Sequence, residues 1–108
     1  MAIQKVTSLD EYRKIAKDNQ SIIIMFTAEW CGPCKVAYPR FQKKSDEFKN
    51  TTFISADVDH AQDLSTEFGI KAMPTFIAIE NGEKKETLIG GDLRNVIPFL
   101  GDTQHSRL

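Results

Sequence analysis

Two cysteines, Cys31 and Cys34, are the only ones in the chain, and both lie within Trp30-Cys31-Gly32-Pro33-Cys34-Lys35. A bridge closing so short a loop removes little entropy from the unfolded chain, so the pair is poorly placed as a structural staple. The same spacing suits chemistry or metal. A structural zinc site needs four ligands, and beyond the pair the chain offers no further cysteine and only His60 and His105. No metal is therefore expected. Inert burial of both thiols fits poorly with a turn rich in Trp, Gly and Pro. What remains is reversible thiol–disulfide exchange, in which a thiolate attacks a disulfide sulfur.

The flanking elements tell the two sulfurs apart. Ile22 to Phe26 is continuously apolar and β-branched, as expected of a central strand covered on both faces. From Cys34 the pattern turns helical, with Val36, Ala37, Phe41 and Phe48 on one side and Pro39 expected to kink the helix. Cys31 thus stands where a strand hands over to a helix. The first N–H groups of a helix lack partners there and, with the macrodipole, favour an anion. Helix N-termini and Cys-X-X-Cys motifs are known settings for a lowered thiol pKa, so Cys31 is expected to be the nucleophile. Cys34 lies one turn deeper on the same face, within reach of a disulfide. It is expected to be more buried, a weaker acid and the resolving thiol. Gly32 opens the sulfur to an approaching backbone. Pro33 is tolerated in a first helical turn and stiffens the loop. Lys35 adds mild positive charge. Trp30 either offers a flat apolar surface beside the sulfur or fills the core.

The remaining elements complete an α/β order. Ser8-Leu9-Asp10-Glu11 is a capping-box pattern, and Leu9, Tyr12, Ile15 and Ala16 continue it as a helix over 8–18. A short strand is expected near Gln4 to Val6. Phe53 to Val58 reads as a strand. Asp59 and Gln62 are candidate caps for a short helix carrying Leu64 and Phe68. Thr75 to Ile79 is a further strand, Asn81-Gly82 a hairpin turn, and Glu86 to Ile89 its return strand. A final helix is expected from Asp92, using Leu93, Val96, Ile97 and Leu100, with Pro98 awkwardly inside it. Strand–helix–strand units imply parallel pairing and the hairpin adds antiparallel strands. The expectation is a mixed central sheet of four to five strands flanked by helices on both faces. The site then falls at the end of an inner strand, a usual place for α/β chemistry.

Composition sets the outer bounds. The chain has 108 residues, one domain's worth, with 41% hydrophobic and 27% charged residues and a formal net charge of −1. It lacks the basic footprint of a nucleic-acid binder, and no apolar run is long enough to span a bilayer. The N-terminal residues show no secretory pattern. A cytoplasmic monomer is expected.

The stretch Trp30-Cys31-Gly32-Pro33-Cys34-Lys35 closely resembles the active-site signature of the thioredoxin family. Ala28-Glu29 before it, Pro39 eight residues after Cys31, Asp57-Val58-Asp59, Met73-Pro74-Thr75, Asn81-Gly82 and Gly90 extend the likeness over about residues 3 to 100. The resemblance implies the thioredoxin fold over 1–100, followed by a polar tail over 101–108. It implies a protein disulfide reductase that cycles through a mixed disulfide and an internal Cys31–Cys34 disulfide. It also implies a cis Met73–Pro74 bond lying against the cysteines, with Trp30, Met73, Pro74 and Gly90 receiving a substrate strand. By the same resemblance the protein binds no cofactor itself and is reloaded by a flavin-containing thioredoxin reductase that uses NADPH. Implied substrates are proteins such as peroxiredoxins and methionine sulfoxide reductases. Two other readings stand beside this one: a binding or scaffold subunit on the same fold, and an electron donor dedicated to one enzyme.

One departure bears on turnover. Thioredoxins usually carry a buried Asp six residues before the first cysteine; here that residue is Met25, and Ser55 replaces a charged residue often found near it. Met25 fills core well but cannot act as a base, a role typically worth about 10²–10⁴-fold. A stable but slower or narrower reductase is expected. Separately, Ser106-Arg107-Leu108 resembles the peroxisomal tripeptide Ser-Lys-Leu, so a peroxisomal matrix address is an alternative to the cytoplasm.

Overall fold

The structure, a computed structural model, describes residues 3–90. In chain order the elements are β1 (Ile3–Lys5), α1 (Leu9–Asp18), β2 (Ser21–Thr27), α2 (Gly32–Glu47), β3 (Thr52–Asp57), α3 (Gln62–Glu67), β4 (Thr75–Glu80) and β5 (Glu83–Ile89). They form one sheet in the order β1-β3-β2-β4-β5. The β1–β3 and β2–β3 pairs are parallel, and the β2–β4 and β4–β5 pairs antiparallel. This is the mixed sheet the sequence implies.

Strand β2 explains the architecture. Successive side chains on a strand face opposite ways, so a wholly apolar strand needs cover on both sides. Ile23 and Met25 join Phe53, Phe76 and Ala78 in a cluster completed by Ala37 and Phe41 of α2. Ile22, Ile24 and Phe26 join Ile54, Ile77 and Ile79 in a second cluster, completed by Tyr12 of α1 and Leu64 of α3. The Phe41 ring meets Phe53 at 5.1 Å and Phe76 at 5.5 Å between centroids, separations at which tilted aromatic rings attract.

Local signals mostly act as their chemistry demands. Ser8 Oγ accepts the Glu11 N–H at 3.0 Å, and Glu11 Oε1 accepts the Thr7 N–H at 2.7 Å. Ser8 thereby caps α1, and Glu11 reaches back past the cap to hold the incoming chain at Thr7. Asn81 and Gly82 have φ of 53° and 82°, the pair of positive angles that a two-residue hairpin with the right twist requires.

Four expectations are corrected. Helix α2 begins at Gly32, not Cys34, because Cys31 itself caps it. Val36 is largely exposed and does not share the inward face of Ala37 and Phe41. Strand β5 begins at Glu83, three residues earlier than expected; its charged start, Glu83-Lys84-Lys85, hid a strand whose pairing is supplied by the backbone ladder. Helix α3 takes Ala61 as N-cap with no side-chain cap bond; Asp59 is engaged elsewhere. The expected helix from Asp92 and the tail over 101–108 lie outside the described residues.

Candidate active site

The site grows out of the end of β2. Past Thr27 the chain turns at Ala28, which is buried, and the Cys31 N–H donates to the Ala28 carbonyl at 3.1 Å. That turn delivers Cys31 to the N-cap of α2 in an extended conformation (φ −91°, ψ 106°). A cap residue ordinarily offers an oxygen to the unpartnered N–H groups of the first turn. Here the acceptor is sulfur: the Cys34 N–H donates to Cys31 Sγ at 3.2 Å. Pro33 falls in the first turn, where its missing N–H costs nothing. Cys31 and Cys34 are joined by a disulfide, with Cα atoms 5.3 Å apart. Both are buried in this bridged form, Cys34 only slightly more so.

The loop is open above the bridge. A Cβ placed on Gly32 would meet no atom within 4 Å, so the backbone between the two cysteines is free of overhanging groups. Trp30 is 67% exposed, which decides between its two readings: it is surface, not core. Its ring is held in place by Nε1–H donating to Asp59 Oδ2 at 2.9 Å. The Asp59 N–H in turn donates to Asp57 Oδ1 at 2.8 Å. Lys35 is exposed beside the loop.

A second segment closes the site from β4. The Met73–Pro74 peptide bond is cis, and Met73 packs against the cluster that contains both cysteines. The Pro74 carbonyl accepts the Gly90 N–H at 2.9 Å. Gly90 has φ of 112°, a conformation open to glycine and closed to side chains. Ile89, its neighbour, is an exposed apolar residue. The structure therefore brings Cys31, Cys34 and Met73 into one cluster and ties Pro74 to Gly90.

Beneath the bridge the protein is apolar. Met25 has no exposed surface and belongs to the cysteine cluster. It lies opposite Ser55 on β3 and Phe76 on β4. No group of three or more His, Cys, Asp or Glu able to hold a metal occurs among the described residues. Sequence reasoning missed the role of Asp59, which it took for a helix cap. The signal was available: an indole N–H seeks an acceptor, and Asp57-Val58-Asp59 leaves the sheet at the same end as the cysteine loop. It also missed Tyr38 and Asp57, which line a groove beside Cys34.

The fold and the sequence are shared with known proteins. The family model for thioredoxin matches residues 3–99. A thioredoxin of Coprinus comatus is 42% identical over 92 residues, covering 83% of this chain and 87% of the relative. Among solved structures, Plasmodium falciparum thioredoxin superposes with a TM-score of 0.89 at 33% identity, covering 92% of this chain and 97% of its own. A chain from a structure on thiol resolution in yeast mitochondrial 1-Cys peroxiredoxin via glutathione/thioredoxin systems gives 0.86 at 33% identity, with 94% and 95% covered. Matched from residue 3 to residue 99 and carrying its two cysteines as a bridge, the chain belongs to the thioredoxin family and is a thiol–disulfide oxidoreductase.

Proposed function

We propose that the protein works as a protein disulfide reductase with Cys31 as nucleophile and Cys34 as resolving thiol. The observation that carries this assignment is the Cys34 N–H directed at Cys31 Sγ across 3.2 Å. In the reduced protein the same donor and the helix dipole favour negative charge on Cys31 more than on Cys34. The Cys31 thiolate attacks a substrate disulfide, forming a mixed disulfide and expelling one substrate thiolate. The Cys34 thiolate then attacks Cys31 Sγ, expelling the second substrate thiolate and leaving the internal bridge. Two electrons pass to the substrate, and the protein must be reloaded with two.

A flavin-containing thioredoxin reductase drawing on NADPH is the proposed source of those electrons. Trp30, Met73, Pro74 and Gly90 are the proposed substrate-facing surface, with an extended substrate segment bonded through its main chain. Peroxiredoxins and methionine sulfoxide reductases are the proposed substrate class; the likeness to a chain from the yeast peroxiredoxin structure supports the former. Turnover of insulin disulfides with NADPH and a thioredoxin reductase tests the reading. NADPH consumption that requires Cys31 supports it, and none above background refutes it.

Met25 favours a slower or narrower enzyme, because a thioether in the cluster that holds Cys34 cannot act as a base. A peroxisomal address is proposed from Ser106-Arg107-Leu108, supported by its likeness to Ser-Lys-Leu. A fluorescent reporter carrying residues 99–108 at its C-terminus tests it; diffuse fluorescence removes the proposal.

A further inference from the structure

The resolving step requires Cys34 to lose a proton, and on its core side Cys34 belongs to an apolar cluster. That cluster also holds Met25, Ala28, Ala37 and Phe41. The other side is different. Cys34 forms part of the wall of a groove of about 330 Å³, lined also by Glu29, Lys35, Tyr38, Pro39 and Asp57. A groove of that size has room for several waters, each occupying about 30 Å³.

Two carboxylates border the groove, and they are not equivalent. Glu29 is exposed. The Asp57 side chain is only 21% exposed and is anchored, because its Oδ1 accepts the Asp59 N–H. It stands at the end of β3, level with Thr27 at the end of β2, so the backbone that sets the cysteine loop also sets this carboxylate. The groups around Asp57 are Lys35, Glu29 and Tyr38 across the groove and His60 on its own segment, with Nδ1 4.0 Å from Oδ2. Asp59, the remaining charge nearby, is turned to Trp30.

We propose that Asp57 accepts the Cys34 proton through water in this groove. It would thereby take over, from the solvent side, the task that the Met25 position cannot perform from the core. The proton leaves Cys34 Sγ for a water, which passes one of its own to an Asp57 carboxylate oxygen. The Cys34 thiolate attacks Cys31 Sγ, and the expelled substrate thiolate recovers a proton from solvent. No electrons beyond those of the disulfide exchange are moved. The inference rests on the division of roles between Cys31 and Cys34 proposed above.

The test separates the two steps. Reduced protein is mixed with Ellman's reagent; the first thionitrobenzoate released reports attack by Cys31, and the second reports resolution by Cys34. Asp57→Asn keeps an Oδ1 acceptor for the Asp59 N–H while removing the base. It is expected to slow the second release about a hundredfold at pH 7, the lower end of what a positioned base supplies. The first release should change less than about twofold, the level set by the Glu29→Gln control. Between pH 6 and 8 the second release should be nearly flat in the parent and rise about tenfold per pH unit in Asp57→Asn, where only hydroxide remains as base. Asp57→Glu, which retains a carboxylate, should recover most of the rate. An unchanged second release in Asp57→Asn, or a parent already rising tenfold per pH unit, overturns the proposal. A first release as fast from Cys31→Ser as from Cys34→Ser would instead overturn the assignment of roles.

Discussion

The Cys34 N–H lies 3.2 Å from Cys31 Sγ, so the atom that caps α2 is also one of the two atoms of the disulfide. In most helices the cap is an inert oxygen and its task is stability. Here the cap is the reacting group, and a thiolate in that place gains a donor and the positive end of the helix dipole together. Cys34 is the third residue of α2, farther from that positive end, and its own N–H is given to Cys31. The asymmetry between two chemically identical side chains thus comes from backbone geometry.

Replacing Cys34 with Ser should leave the attack by Cys31 intact and remove the step that frees the substrate. Incubation of Cys34→Ser with a disulfide-bonded protein should yield a covalent adduct visible by mass spectrometry and dispersed by dithiothreitol. Cys31→Ser should yield none.

Met25→Asp places a carboxyl where no water reaches, opposite Ser55 and Phe76. Even uncharged, a poorly partnered polar group there costs about 1–3 kcal/mol. Burial raises the pKa of such a carboxyl above its unfolded value of about 3.9. The folded state then holds a proton that the unfolded state has lost, so stability falls as pH rises above about 4. Urea denaturation from pH 4 to 8 should show Met25→Asp less stable than the parent, with the deficit growing from pH 4 until the buried carboxyl ionises. A variant more stable than the parent and slower in insulin reduction would contradict this view of Met25.

The indole of Trp30 is held by Asp59 at 2.9 Å on an exposed surface. A hydrogen bond to a charged acceptor is worth about 1.5–3 kcal/mol when buried, and exposure reduces it to about 1 kcal/mol or less. Asp59→Ala should therefore change the denaturation midpoint little. It should free the ring, which Trp30 fluorescence anisotropy will report as a drop, since Trp30 is the only tryptophan.

Tyr12 is buried against Phe68, with ring centroids 5.5 Å apart, and burial pushes its phenol above the ordinary value of 10.0. Above pH 10 the unfolded chain gives up this proton while the folded chain keeps it, so stability is full below that pH and falls as pH rises through the folded value. Tyr12→Phe should flatten the loss between pH 10 and 11 relative to the parent in urea titrations.

Much of this was legible in the sequence, for physical reasons. The apolar run Ile22–Phe26 demands cover on both faces, which fixes a layered sheet. Ser8 with Glu11, and Asn81 with Gly82, specify their cap and turn through local bonds and torsions alone. The cysteine pair announces its chemistry by spacing, and its surroundings match the resemblance to the thioredoxin family. What was not legible depends on contacts between distant segments. The Trp30–Asp59 bond spans 29 positions, and nothing local assigns that carboxylate to an indole and not to α3. Val36 sits one residue from Ala37, and only the rotation of α2 against β2 decides which faces the core. The groove joining Cys34 to Asp57 exists because β2 and β3 end side by side, a register that periodicity does not supply.

The central claim is that Cys31 ionises readily while Cys34 stays protonated until it is needed. The direct measurement is the rate of iodoacetamide labelling of each thiol in the fully reduced protein at pH 7, resolved by peptide mass mapping. A thiol lowered by a helix N-terminus holds more thiolate at that pH, and the thiolate is the form that alkylates. Labelling of Cys31 should therefore outpace Cys34 by about tenfold or more. Equal rates at the two sulfurs, each that of an ordinary free thiol, would contradict the account.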